Sequence, residues 1–233
     1  MRRVTATNVL TPFENGIRPL VAQHRALAAP LTDLLVIVVC GVYAIQAAQT
    51  ALWNVSSVFE TTNYVYFREP WLAWLLAPLL HGGLTHVVPN VLTLFAFGRI
   101  AEGHLPQRQF AAMVVVAAVG SILALVAWSV VFAPDSYVAV YGISGVVFAV
   151  GGFAVVHLPR HGRATDLELL ATLFGVCAVA LVGVEALTAL AFRAPASVNV
   201  GHAVGLLVGV VTAFGTRPRG RSCVPSRDAP DEE

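Results

Sequence analysis

The sequence predicts an all-α membrane protein, a single bundle of six transmembrane helices. Composition, the spacing of apolar runs and the placement of arginine predict it. Of the 233 residues, 57% are hydrophobic and 12% charged, with a mean hydropathy of +0.76. Soluble domains carry about 25% charged residues. A formal net charge of +1 supplies no basic surface for nucleic acid. Cys40 and Cys177 lie in apolar runs and Cys223 in the polar tail, a pattern that fits neither a disulfide framework nor a zinc site.

Crossing a bilayer takes about 20 apolar residues. Runs of that kind fall at 31–52, 82–100, 109–132, 141–157, 167–190 and 197–215. Residues 1–30 lack the short apolar core of a signal peptide and read as a cytoplasmic segment, so the first span stays as an anchor. The bundle occupies 31–216. Residues 53–80 form a long connection carrying Trp53, Tyr64, Tyr66, Trp71 and Trp74, the aromatic mix of a membrane interface. Residues 217–233, rich in Arg and Pro and then acidic, read as a disordered cytoplasmic tail.

Orientation follows from the arginines. With the N-terminus inside, twelve arginines fall inside and two, Arg68 and Arg193, outside. This positive-inside bias places both termini in the cytoplasm of a multi-pass cell-membrane protein.

The fourth span is too short to cross a core of roughly 30 Å at 1.5 Å per residue. The chain entering it, 133–142, holds Pro134, Asp135 and Gly142. Irregular backbone at membrane depth needs protein or a water-filled cavity around it. A sunken helix start opening onto an outward cavity is the expectation.

Four polar residues share that depth. His86 and Asn90 lie in span two, Ser144 in span four and His202 in span six, each near the outer end. Polar residues inside a membrane point first to function. Ser144, in Gly142-Ile143-Ser144-Gly145, starts a helix whose free N–H groups could receive an oxyanion; the bland alternative is a helix cap. His202 sits in a stripe, Gly201, Gly205 and Gly209. That stripe could pack on Gly145, Ala149 and Gly152 and bring His202 beside Ser144. The alternative is a packing helix with an incidental histidine.

His86 and Asn90, four apart, share one face and could donate to developing negative charge or simply bond between helices. Pro89 predicts a kink beside Asn90. Metal binding is not expected, because no His-Glu-x-x-His motif or nearby carboxylate accompanies the histidines. His81 is expected to be structural. Glu185, toward the outer end of span five, is expected at the interface, the alternative being a lining of the route by which substrate enters.

Together, His81-Gly82-Gly83-Leu84-Thr85-His86-Val87-Val88-Pro89-Asn90, Gly142-Ile143-Ser144-Gly145 and Gly201-His202 with Gly205 and Gly209 resemble the rhomboid family of intramembrane serine proteases. The resemblance implies a six-helix rhomboid-like bundle with a Ser–His dyad and no carboxylate. Ser144 would be the nucleophile and His202 the general base. Asn90, His86 and the Ser144 N–H would form the oxyanion hole. Gly142, Gly145 and Gly205 would support the site, and Phe148, where most rhomboids carry tyrosine, would stack on His202. The implied partners are membrane lipid and single-span protein substrates, with no metal and no cofactor. A rhomboid-like pseudoprotease that binds transmembrane helices without cutting them is the alternative.

Overall fold

The computed structural model describes residues 7–53, 75–132, 141–161, 165–191 and 199–216. Among them the chain is helical throughout, without strands. In order come α1 (Thr7–Ala26), α2 (Pro30–Trp53), α3 (Leu84–Thr93), α4 (Arg99–His104), α5 (Gln107–Phe132), α6 (Ser144–His157), α7 (Asp166–Ala191) and α8 (Val200–Gly215). Pro30–Leu52, Leu84–His104, Gln107–Phe132 and Asp166–Ala191 are long and apolar enough to cross a membrane, while Ser144–Arg160 and Val200–Gly215 are shorter apolar helices. A helix thus lies over each of the six predicted spans. Most of the aromatic connection, the entry at 133–140 and the tail at 217–233 lie outside the described residues.

Helix α6 is the axis. Its 14 residues extend about 21 Å, short of the hydrocarbon thickness as the sequence requires. Every residue from Gly145 to Ala154 is buried, and α5, α7 and α8 pack around it. Lipid-facing and protein-facing sides are equally apolar in such helices, so small residues decide where they touch. On α7 the inward residues include Ala171, Gly175, Ala178 and Ala189.

The chain runs through Pro89 to Thr93, and its irregularity comes later, as a π-helical turn over Leu94–Gly98. There Gly98 lets Thr32 of α2 approach closely; an added Cβ would lie 3.0 Å from Thr32 Cγ2. Just beyond, the start of α2 is clamped by two buried charges. The Glu102 carboxylate accepts from Leu31 N (3.0 Å), Thr32 N (2.7 Å) and Thr32 Oγ1 (2.8 Å). These are N–H groups that a helix start leaves unpaired, at the positive end of its dipole. Arg99 pairs with Asp33 and donates to Leu27 O at 2.7 Å. Glu102→Ala removes three hydrogen bonds at about 1 kcal/mol each. It is expected to lower stability by about 3 kcal/mol, read as a fall in the thermal unfolding midpoint in detergent. An unchanged midpoint would show that the clamp contributes nothing.

Candidate active site

The approach to α6 is shaped by Gly142. Its φ of +110° is a conformation that residues with a Cβ rarely adopt. A Cβ there would also overlap the His86 ring, at 2.7 Å from Cε1 and 2.9 Å from Nε2. The Gly142 N–H donates to Ala77 O at 2.8 Å, so the backbone before Ser144 is pinned to the chain leading into α3. His86 in turn lies edge-on to the fully buried His81 (ring centroids 5.0 Å) and near Tyr141 (5.7 Å). His81 Nδ1 bonds Leu79 O at 3.2 Å and its N–H donates to Gln46 Oε1 at 3.2 Å. His81, expected to be structural, therefore joins this cluster through its ring contact with His86.

Ser144 is the first residue of α6, and Ile143, not Ser144, holds the N-cap position. The bland reading of the serine as a helix cap is therefore not what the chain adopts. Val146 N and Val147 N both turn to Ile143 O, at 2.9 and 3.2 Å. The Ser144 and Gly145 N–H groups find no acceptor among the described residues, as the first turn of a helix leaves them.

The two small stripes meet. A Cβ on Gly205 would overlap the Gly145 carbonyl, one on Gly209 the Ala149 carbonyl, and one on Gly152 the Leu206 carbonyl. Backbone lies on backbone along the α6–α8 contact. Ser121 of α5 anchors the start of α8 by donating from Oγ to Gly201 O at 2.9 Å.

His202 stands in the first turn of α8, capped by Asn199. The His202 N–H donates to Asn199 Oδ1 at 3.4 Å, which orients the amide so that Nδ2 faces the imidazole. Asn199 Nδ2 lies 3.0 Å from His202 Nε2. An amide nitrogen only donates, so Nε2 accepts and the ring hydrogen sits on Nδ1. That Nδ1–H donates to Glu185 Oε1 of α7 at 3.0 Å. Phe148, one turn past Ser144, stacks on the imidazole at 4.1 Å and 10°. The tautomer is the one a base needs, with a lone pair on Nε2.

Three findings differ from expectation. Among the described residues no hydrogen bond joins Ser144 to His202, and Asn199 engages Nε2. The Asn90 side chain turns onto its own helix, donating from Nδ2 to His86 O at 2.9 Å. Glu185, expected at the interface, binds His202 instead of standing free: its side chain is 22% exposed, and its Oε2 is buried with no hydrogen-bond partner among the described residues. Depth alone suggested the interface, but Glu185 also lies seven residues past the buried Ala178 and four before the buried Ala189, on the inward face of α7. That stripe was the sequence signal for it. Asn199 carried a weaker one, an asparagine just ahead of an apolar helix. Among the described residues no three of His, Cys, Asp or Glu are grouped to hold a metal ion.

Among curated proteins, none matches the chain. The Rhomboid domain, in contrast, matches residues 68–219, a stretch that contains His86, Asn90, Ser144, Glu185 and His202. That match covers more than half of the 233 residues, and on it the chain, a multi-pass helical membrane protein, belongs to the rhomboid family.

Proposed function

We propose that the protein is an intramembrane serine endopeptidase that cleaves transmembrane segments of single-span membrane proteins. The observation that carries this is the first turn of α6: Ser144, whose N–H and that of Gly145 have no acceptor among the described residues, lies one turn from a phenylalanine stacked on a histidine whose Nε2 bears the lone pair. In this reading the Ser144 hydroxyl displaces Asn199 from Nε2 when substrate is bound. Ser144 Oγ attacks the scissile carbonyl, its proton passes to His202 Nε2, and the tetrahedral oxyanion is received by the Ser144 N–H with His86 and Asn90. Nε2 then protonates the departing amine, leaving an acyl-enzyme that water hydrolyses with the same base. The substrate helix must unwind locally, since helical hydrogen bonds occupy its carbonyls. No step calls for a metal or a cofactor. The arginine bias supports a cell-membrane location with both termini cytoplasmic.

A fluorophosphonate probe applied to the full chain in detergent is expected to label wild type and not Ser144→Ala. Equal labelling of both, or of neither, would sink the assignment. A second reading, a pseudoprotease that binds transmembrane helices, is favoured by the Asn199–Nε2 bond and by the Asn90 amide turned onto His86 O. Labelling at Ser144 without cleavage of any single-span substrate is its signature.

A further inference from the structure

We infer that Glu185 of α7 is a positioning residue for the base, fixing the orientation and tautomer of His202 through the Nδ1–H···Oε1 hydrogen bond. This rests on the protease reading above and departs from the carboxylate-free dyad that the family resemblance implies.

The geometry is specific at each point. The 3.0 Å bond joins two different helices, α7 and α8. The opposite ring nitrogen is engaged by Asn199, and the ring face by Phe148. The imidazole is thus held at Nδ1, at Nε2 and across its plane. Of these contacts, Phe148 cannot select a tautomer and Asn199 must yield to the serine hydroxyl. When it does, the Nδ1 bond to Glu185 is the contact that keeps the ring hydrogen on the nitrogen away from Ser144.

As Ser144 Oγ gives its proton to Nε2, the imidazole becomes a cation while its Nδ1 proton stays in place. The Glu185 carboxylate, 3.0 Å away, offsets that charge without taking a proton, and both revert when Nε2 protonates the leaving amine. A carboxylate on the inner face of an apolar helix is costly to place. A purely packing role would be filled better by an apolar side chain, such as the alanines at 178 and 189 on the same face.

The full chain in proteoliposomes, with a single-span protein substrate, separates the possibilities. Glu185→Gln keeps the shape and loses the charge; Glu185→Asp keeps the charge and loses a methylene. Activity is expressed per mole of folded, monodisperse protein. Glu185→Gln is expected to lower kcat and the fluorophosphonate labelling rate by about 10- to 100-fold, with KM within about twofold. Glu185→Asp should recover part of that loss. Three results would overturn the inference: Glu185→Gln within twofold of wild type, Glu185→Asp less active than Glu185→Gln (the order a packing role gives), or loss of folded protein in both. An inert wild type would instead overturn the protease reading and this inference with it. A reactive wild type with an unaffected Glu185→Gln overturns this inference alone.

Discussion

His202→Ala is expected to reduce both substrate cleavage and fluorophosphonate labelling by about 10³-fold or more. General-base transfer typically contributes about 10²–10⁴-fold. The serine left behind would have to lose its proton to water at the bottom of a packed helix contact. The fold should survive, because the cap at the start of α8 uses the backbone of residue 202 rather than its ring: residue 202 N still reaches Asn199 O at 3.0 Å and Oδ1 at 3.4 Å. What the variant does lose is the Phe148 stack and the partner of Glu185, so a modest fall in thermal midpoint should accompany the kinetic collapse. The two effects are separable by measuring labelling rate per folded molecule. Cleavage retained within tenfold of wild type would remove His202 from the chemistry.

The outline of the fold and the residues of the candidate site were legible in the sequence because both rest on short-range signals. Apolar length gave the spans. A glycine every fourth residue gave the close face, of which Gly205 and Gly209 meet Gly145 and Ala149 of α6, whereas Gly201, expected on the same contact, packs against Ser121 and Leu125 of α5. The short fourth run gave the short helix α6. What stayed hidden was azimuth and reach. In a membrane helix the lipid-facing and protein-facing sides are both apolar, so hydrophobic periodicity does not say which way a residue points. Glu185 was therefore read by depth and expected at the membrane interface, although the spacing of Ala171, Gly175, Ala178 and Ala189 marks its face as inward. Asn199 illustrates reach. Its type announces a helix start, but nothing in the local sequence says that its free amide nitrogen will fold onto His202 Nε2. Pro89 was expected to disturb the helix beside Asn90; the helix continues to Thr93 and departs from α geometry at Leu94–Gly98 instead.

On the proposed protease function, Gly205→Ala should lower activity out of proportion to its cost in stability. A single methyl there would overlap the Gly145 carbonyl, and that obstacle is backbone, unable to swing aside as a side chain would. Helices α6 and α8 must separate or slide. Overpacking of this kind typically costs about 1–3 kcal/mol, a loss that a folded bundle can absorb. Catalysis has less tolerance. Gly145 is the neighbour of Ser144, and Gly205 lies three residues from His202, so the displacement acts directly on the two groups that exchange a proton in the proposed mechanism. A misplacement of about 1 Å can cost roughly 10²-fold. The expected result is therefore a folded protein, its thermal midpoint lowered by several degrees, with labelling and kcat down by about 10²-fold or more. Gly183→Ala supplies the control, since a Cβ at Gly183 of α7 meets nothing within 4 Å; it should match wild type in both measurements. If Gly205→Ala kept wild-type labelling while Gly183→Ala did the same, backbone contact between α6 and α8 would not be what sets the distance between Ser144 and His202.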